Sequence, residues 1–545
     1  MHWTPQTTTL ASCARLLLAQ GNLVAAPEGS EGSEARVTQL SYDSRTVEPG
    51  ALFFCKGAHF KPEYLAEAVK AGAQAYVSEH SYAEYLRSLG ARPIPVLLVR
   101  QIQPAIADLA ALWYRGLLER LTLIGFTGTK GKTTTTYMLR AILDSWLGEQ
   151  GRAPSAWLSS IENYDGVART RSLLTTPDVL ELYAHFRNAV DSAMEYLVME
   201  VSSQALKYHR TRGLSFEVVG FLNIGEDHVS PVEHASHEDY LASKLELFKQ
   251  GNTAVVNLES DELERVLRAA EASKRVLSFG LAEAGEPGST EASEPEPGAE
   301  AGCTPVEIGG QCPIPGHARP ATLVASEVES TARGLSFVAR TQHWQERFTL
   351  PMAGRFNVEN ALAALTAALA LGVPVEHMQN GLATCEVSGR MQLMAGPDDK
   401  LIIVDYAHNR MSFEAIFSTV ASEYPGRPII CVFGATGGKG SERRVDLPAV
   451  AVGYAEKIYI TEDDPGEEPL ARINQQIAEV VAAAGVAHDI IEDRDAAIAH
   501  AIREAPAHSV VLILGKGHET LMKRGREAQP VPSDAERVRR LLAEG

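Results

Sequence analysis

Nowhere in the 545 residues is there a run of about 18 consecutive apolar side chains, so no segment is expected to cross a bilayer. Six cysteines are scattered at Cys13, Cys55, Cys303, Cys312, Cys385 and Cys431. None forms a C-x-x-C pair, which argues against a zinc or dithiol framework and points to buried, reduced thiols in a cytoplasmic protein. Positive charge is in deficit: 50 Lys and Arg stand against 69 Asp and Glu, a formal net charge of −19. That excludes a general binder of nucleic acid or of acidic membranes, both of which need a net positive face. A small anionic ligand is not excluded, because it needs only a local pocket of donors. The opening residues MHWTPQTTTL lack a basic stretch followed by an apolar one, so no secretory signal is expected. No repeat of 20–50 residues is evident, which sets solenoids aside.

What is present is enough apolar sequence (45%) for several cores, and a length that suggests three domains rather than one. Residues 1–120 alternate short apolar runs with helical stretches (ALFFCKG, EYLAEAVKAGA, AYVSE) and read as a small N-terminal α/β domain. From Leu121 the pattern restarts with LTLIGFTG, a glycine-rich turn and a helix from about Lys132, followed by strands at EYLVMEVSS, EVVGFLNIG and TAVVNL. This is the pattern of a doubly wound, mostly parallel sheet, assigned to a central domain of residues 121–389. Within it the stretch at about 281–302, rich in Glu, Pro, Gly, Ala and Ser, is expected to be a disordered surface insertion. Residues 390–545 repeat the alternation (LIIVDYA, PIICVFGA, KIYITED, VVLILGKG) and form a third, Rossmann-like α/β domain.

The segment GFTGTKGKTTT, Gly125 to Thr135, lies between an apolar strand and a helix, where a phosphate loop belongs. Glycines let backbone N–H groups turn toward phosphate oxygens, and the helix N-terminus adds partial positive charge. Lys132 is suited to β/γ-phosphates and the Thr133 hydroxyl to Mg²⁺. The strict G-x-x-x-x-G-K-T spacing is broken by Phe126, and the glycines fall at 125, 128 and 131. Glu200 closes the apolar run YLVME, and His228 follows FLNIGED, both at strand ends where crevice ligands sit. Taken singly, each reads equally well as a cap or a loop residue. His234 and His237 raise a three-histidine zinc site, but no further ligand spacing supports it, and both are read as solvent-facing.

G-T-K-G-K-T-T, together with E-V-S-S and N-x-x-x-D-H (Asn223, Asp227, His228), resembles the Mur ligase family, which includes the folylpolyglutamate synthetases. The resemblance implies a fold of three α/β domains and an enzyme that phosphorylates a carboxylate with ATP and lets an amine displace the phosphate. It implies ATP contacts at Gly128, Thr129, Lys130, Gly131, Lys132, Thr133 and Thr134, and a catalytic and Mg²⁺-binding set of Lys132, Thr133, Glu200, His228 and Lys244. In that set Lys244, in YLASKLELF, is carried as a carbamate. F-N-x-x-N (Asn357, Asn360), Arg390 in SGRMQ and Asp405 in VDYAHN resemble further ATP contacts. Arg410 stands where the family's DYAHN is usually followed by proline.

The resemblance extends to the acceptor. Asp43, Ser44 and Arg45 match a D-S-R signature of the uridine-nucleotide domain, although an Asx turn closed by an ion pair reads about as well on residue type alone. Thr175, Thr176 and Pro177 in LLTTP, Ser202 and Arg210 match contacts to a muramoyl dipeptide. The implied substrates are ATP, UDP-MurNAc-L-Ala-D-Glu and a diamino acid, handled by a monomer. Arg444, Asp463, Asp464, Gly515 and Glu519 fall where the family binds the amino acid. The family's diaminopimelate motif D-N-P-R is here Asp463-Asp464-Pro465-Gly466. Without the arginine, and with Glu467 and Glu468 following, the region is acidic and favours a terminal ammonium, so L-lysine is expected, with L-ornithine and meso-diaminopimelate behind it. Two other readings are a folylpolyglutamate-type ligase, which lacks the D-S-R domain, and an ATP-binding regulatory module.

Overall fold

The computed structural model describes residues 3–4, 7–25, 34–57, 60–91, 94–225, 233–282, 312, 319–438 and 440–544. His228 and nearly all of the acidic insertion lie outside the described residues. By contact density the chain divides into two compact units, residues 1–136 with 147–277, and residues 137–146 with 278–545.

The first unit contains two main sheets besides a two-residue ladder of Thr8–Thr9 with Arg36–Val37. The smaller has the order Leu23–Ala25, Val96–Val99, Ala75–Ser78, Ala51–Phe54, Gln39–Ser41, parallel except at the Leu23–Ala25 edge. In the larger, Thr122–Thr127 lies between Tyr196–Glu200 and Phe216–Phe221, flanked by Ala156–Leu158 and Gly251–Asn257, all parallel. A short antiparallel hairpin, Glu162–Tyr164 with Arg169–Arg171, extends one side. Near-continuous burial of these strands is what helices on both faces of a parallel sheet require. No composition break stands out in the core at residue 120. Leu10, Leu17, Ile106 and Leu109 share one apolar cluster with Tyr183, Phe186 and Val219. Trp3, Tyr114, Tyr183 and Phe186 form a run of ring contacts with centroid spacings of 5.2, 4.9 and 5.6 Å.

The second unit opens with an antiparallel meander, Leu323–Thr331, Gly334–Arg340 and Gln345–Leu350, and the Ala/Leu-rich helix Phe356–Ala370, which is buried at nearly every position. Its six-stranded sheet has the order Gln392–Ala395, Leu401–Asp405, Val510–Leu514, Ile429–Phe433, Lys457–Ile460, Ala487–Ile490, parallel except at the first strand. Alternate strand residues feed two cores. Ile403, Cys431, Ile458 and Leu512 pack with Phe413, Phe417 and Ile477, while Ile402, Val432, Tyr459 and Ile513 pack with Ile498, Ala501 and Val538. That is the doubly wound arrangement read from the β-branched runs. The helix Arg410–Glu423 starts at the residue that replaces the expected proline. First-turn positions tolerate proline because their N–H has no helical partner. Arginine there changes little in shape, since Asn409 and Ser412 close a reciprocal cap. Among the described residues no helix is long and apolar enough to span a membrane, and the five described cysteines are buried and unlinked.

The most buried charges of this unit are Arg494 and Asp534, both with no exposed side-chain surface. Two parallel bonds of 2.7 Å join them, and Arg494 also donates to the carbonyls of Leu514 (2.8 Å) and Glu462 (3.2 Å). The pair therefore ties together the ends of Lys457–Ile460 and Val510–Leu514, two strands that lie on either side of Ile429–Phe433. Asp534→Asn is expected to cost about 3–5 kcal/mol, because it leaves a buried guanidinium uncompensated. A urea melt showing less than about 1 kcal/mol of change would contradict that role.

Candidate active site

The phosphate loop begins at Gly128, three residues after the first of its glycines. Gly125 and Phe126 are still strand residues; a side chain at Gly125 would press on Phe216 and Val201, and Phe126 itself is fully buried. The broken spacing arises there, and only Gly128 and Gly131 belong to the turn. Gly131 takes a left-handed φ of 83° immediately before the helix Lys132–Glu149, a conformation that favours glycine. Asn223, at the end of the neighbouring strand, holds the loop. Its Oδ1 accepts from Lys130 N (2.9 Å), its Nδ2 donates to Lys130 O (3.3 Å), and its own carbonyl accepts from Thr129 N (3.1 Å).

Two lysines converge inside this loop. Lys132 Nζ donates to the carbonyls of Gly128 (2.7 Å) and Thr129 (3.1 Å), and Lys244 Nζ donates to the same Gly128 oxygen at 2.8 Å. Lys244 is only 1% exposed, so it is not a surface helix residue. Its ammonium lies 4.4 Å from the centre of the Tyr240 ring, whose hydroxyl donates to Thr129 Oγ1 (3.2 Å). Beside the loop, Thr133 Oγ1 lies 3.0 Å from Ser160 Oγ, and Ser160 N donates to the buried Glu200 Oε1 at 2.7 Å. Three oxygen-bearing side chains thus gather at the strand ends. His234 corrects the expectation of a solvent-facing residue. It is fully buried, its Nε2 lies 2.9 Å from Ser203 Oγ, its ring packs edge-on against Tyr240, and burial lowers its pKa. His237 is half-exposed. No group of three His, Cys, Asp or Glu side chains able to hold a metal occurs among the described residues.

The residues expected to contact the dipeptide adjoin this set. Thr176 Oγ1 donates to the Glu200 carbonyl (2.9 Å) and accepts from Ser202 N (3.0 Å), while Ser202 caps the short helix after it. Arg210 donates to Thr176 O (3.0 Å) and pairs with Asp178 (3.1 Å), which also takes Lys56 at 3.0 Å. Lys56, Gln103, Ile106, Asp178, Tyr208 and Arg210 line a cavity of about 310 Å³. Thr175 is half-buried next to it in sequence. At the D-S-R segment, Asp43 accepts from Arg45 N and forms a two-bond pair with the Arg45 guanidinium, which holds its carboxyl down to about 2. Ser44 donates to Glu67 (2.7 Å). The Asx turn is therefore the geometry of this segment, with Arg45 exposed.

In the second unit, Asn357 and Asn360 are not helix caps. The helix is preceded by Arg355, and Asn357 Nδ2 reaches back to Ala353 O (2.7 Å) while its Oδ1 accepts from Asn360 (3.0 Å). Asp405 is buried, accepts from Met391 N and Ala407 N at 2.7 Å each, and burial raises its pKa despite Arg390 nearby. The Arg390 guanidinium lies over the Tyr406 ring at 5.2 Å, and Tyr406 donates to Glu519 Oε1 at 3.3 Å. Lys516, 1% exposed, pairs with Asp464 (2.9 Å) and Glu519 (2.6 Å). Asp463 is buried beside them, its carboxyl pushed up to about 6 by burial, with Arg494 and Lys516 pulling the other way. Gly515, with φ of 110°, leaves room for it, since a Cβ there would lie 2.6 Å from Asp463 Oδ2. Arg444 pairs with Glu468, Arg524 with Glu462 and Arg526 with Glu467. Sequence reading overlooked Ser160, Lys56, Asp178 and Lys516. Lys516 alone carried a local signal, its place in GKGHE.

A phosphate loop at the end of a parallel strand, beside a buried carboxylate and a buried lysine, defines a nucleotide-dependent enzyme. Residues 126–303 match the Mur ligase middle domain, and residues 389–517 the Mur ligase glutamate ligase domain. The chain is 35% identical, over 97% of its length and 98% of the relative's, to UDP-N-acetylmuramyl-tripeptide synthetase of Lactobacillus delbrueckii subsp. bulgaricus. It is likewise 35% identical to UDP-N-acetylmuramoyl-L-alanyl-D-glutamate--L-lysine ligase of Enterococcus faecalis, over 92% of this chain and 91% of that one. Among solved structures, a UDP-N-acetylmuramoyl-L-alanyl-D-glutamate--2,6-diaminopimelate ligase shares the fold, with TM-score 0.64 and 22% identity, covering 93% of this chain and 95% of the other. The chain belongs to the Mur ligase family. It is an ATP-dependent acid–amino-acid ligase.

The loop clamp gives a direct check. Asn223→Ala is expected to raise KM for ATP about tenfold or more, since misplacing a phosphate cradle is costly, while reducing stability by only about 1–3 kcal/mol. An unaltered KM for ATP would show that the loop keeps its shape without Asn223.

Proposed function

We propose that this enzyme joins L-lysine to the D-Glu γ-carboxylate of UDP-MurNAc-L-Ala-D-Glu in peptidoglycan synthesis, in the cytoplasm, through an acyl phosphate. ATP phosphorylates the carboxylate, the lysine α-amine attacks the acyl carbon, and phosphate leaves with ADP as the other product. The observation that carries the choice of amino acid is the state of the cations around Asp463-Asp464-Pro465-Gly466. Arg444, Lys516, Arg524 and Arg526 are each paired with a carboxylate of the chain, and Gly466 offers no side chain. A second ligand carboxylate, as in diaminopimelate, would have to compete with the chain's own carboxylates for those four cations, whereas Asp463 and the pair of carboxylates on Lys516 favour an added ammonium. The lysine ligase name of the Enterococcus faecalis relative supports the same choice. The acidity is real but largely compensated from within, so the selectivity rests on Asp463 and the missing arginine more than on total charge.

In this reading Lys132 stabilises charge on the transferring phosphoryl group, with Gly128, Thr129, Lys130, Gly131 and Thr134 shaping its cradle. Asn360, Arg390 and Asp405 contact the nucleotide, and Ser44, Arg45, Thr175, Thr176, Ser202 and Arg210 contact the UDP-muramoyl dipeptide. Arg444 holds the amino acid's α-carboxylate, with Asp463, Asp464, Gly515 and Glu519 around its side chain. Mg²⁺ suits the hard oxygen donors of Thr133 and Glu200, joined in this proposal by His228 and a carbamate on Lys244; when bound it neutralises phosphate charge. The convergence of Lys132 and Lys244 on one carbonyl oxygen supports the carbamate. Converting Lys244 to an anion turns a like-charge contact in a buried place into an attractive one.

Steady-state kinetics with the three diamino acids test the amino-acid choice. A kcat/KM for lysine at least about tenfold above that for meso-diaminopimelate is expected, and the reverse order would refute it. Separately, Lys244→Ala is expected to lose at least about 100-fold in kcat and to recover part of it with short carboxylic acids, which can supply the missing anion. Mass spectrometry finding unmodified Lys244 in the active enzyme would defeat the carbamate.

A further inference from the structure

A cleft of about 770 Å³ is lined by Gly438, Ser441, Arg444, Glu468, Gln476 and Glu479, among others. At its base Arg444, 6% exposed, uses both terminal nitrogens of its guanidinium, while its buried Nε has no hydrogen-bond partner among the described residues. Nη1 donates to Glu468 Oε1 and Gln476 Oε1, both at 2.8 Å, and Nη2 donates to Glu468 Oε2 at 2.6 Å and Thr436 O at 3.1 Å. Gly438 N adds a third donor to the Glu468 carboxylate at 3.1 Å. A guanidinium fork and a backbone N–H aimed at two carboxylate oxygens make a carboxylate receptor. Here its occupant is a side chain of the same chain.

We propose that Glu468 is a displaceable internal carboxylate that occupies the receptor for the incoming amino acid's α-carboxylate, so that substrate must exchange with it. The inference rests on the assignment of Arg444 to that α-carboxylate. The Nη1–Nη2 edge that Glu468 occupies has room for one carboxylate at a time, so a ligand carboxylate on that edge and Glu468 compete for the same donors. The exchange is feasible because Glu468 lies outside the core. Its side chain is 19% exposed, and it sits in the loop between Gly466, at φ of 60°, and the helix Leu470–Ala483. The receptor holds it well below the usual carboxylate range, at about 2, so Glu468 competes as an anion at any working pH. Displacement conserves the ion pair while releasing Glu468 to water, so the buried guanidinium is compensated both before and after binding. The apparent affinity for the amino acid is then lowered by the fraction of molecules in which the pair is closed.

The test is the sign of a KM change. Glu468→Gln keeps the shape and removes the competing charge. With whichever of lysine, ornithine or meso-diaminopimelate the enzyme uses best, its amino-acid KM is expected to fall about tenfold while KM for ATP stays put, as for a pair closed roughly nine-tenths of the time. A purely structural Glu468 would give an unchanged or raised KM, and that result in a normally melting variant overturns the proposal. Should Glu468→Gln fail to fold, Glu468→Asp, which draws the carboxylate back by one methylene, must also lower the KM; a raised value overturns the proposal equally. Arg444→Gln separates the two levels. If it leaves the amino-acid KM unaltered, the Arg444 assignment falls and the exchange with it. If it raises the KM but Glu468→Gln does not lower it, the exchange alone fails.

Discussion

The carbonyl oxygen of Gly128 accepts from two lysine ammonium groups, and the chemistry of the first unit is arranged around that meeting. A loop at the carboxyl end of a parallel strand has left the ladder that would satisfy its backbone, so its polar groups must find partners elsewhere. Here the neighbouring strand supplies Asn223 for Lys130, the helix His237–Leu245 brings Lys244 to Gly128, and Tyr240 on the same helix reaches Thr129. A phosphate-binding conformation is thereby held before any phosphate arrives. Two ammonium groups are also held close together, where an anionic ligand would be attracted.

The second unit answers the same constraint differently. The loops after Lys457–Ile460 and Val510–Leu514 carry Asp463, Asp464 and Gly515 through Glu519, and neither has a clamp like Asn223. Arg494 spans them from beneath, donating to the carbonyls of Glu462 and Leu514 while Asp534 compensates its charge and also accepts from Gly517 N. A buried ion pair is weak evidence for stability by itself, since desolvation opposes attraction. Its value here is geometric, because one planar fork fixes two loops relative to each other.

These two devices mark what a sequence can and cannot show. The strands, the phosphate loop and the doubly wound order were legible, because β-branched runs and a contiguous G-T-K-G-K-T-T carry their reasons within a few residues. Glu200 and Lys244 were legible only through family resemblance, since nothing local distinguishes them from a cap or a surface lysine. What stayed hidden depended on distant partners. The burial of His234 comes from Ser203 and Tyr240, on either side of it in the chain. The compensation of Asp464 and Glu519 by Lys516 required two loops to be brought together by Arg494. An acidic stretch counted along the chain therefore overstated the free negative charge, even though the expected preference for an ammonium is unaffected in direction.

Most of the cations expected to meet a ligand are already held by an acceptor of the chain: Arg45 by Asp43, Arg210 by Asp178, Arg444 by Glu468, and Lys132 by two carbonyls. For the buried and half-buried members, Arg210, Arg444 and Lys132, the cause is shared. A guanidinium or ammonium that is to be desolvated with substrate cannot wait uncompensated in a half-buried cleft, because an unpaired charge there destabilises the fold by several kcal/mol. Binding then becomes an exchange of one anion for another rather than the filling of a vacancy. Only the difference between the two pairings would then appear as affinity. The exposed Arg45 pair contributes little to that difference, since water screens it. The nearly buried Arg444 pair is the one at which such an exchange would weigh most.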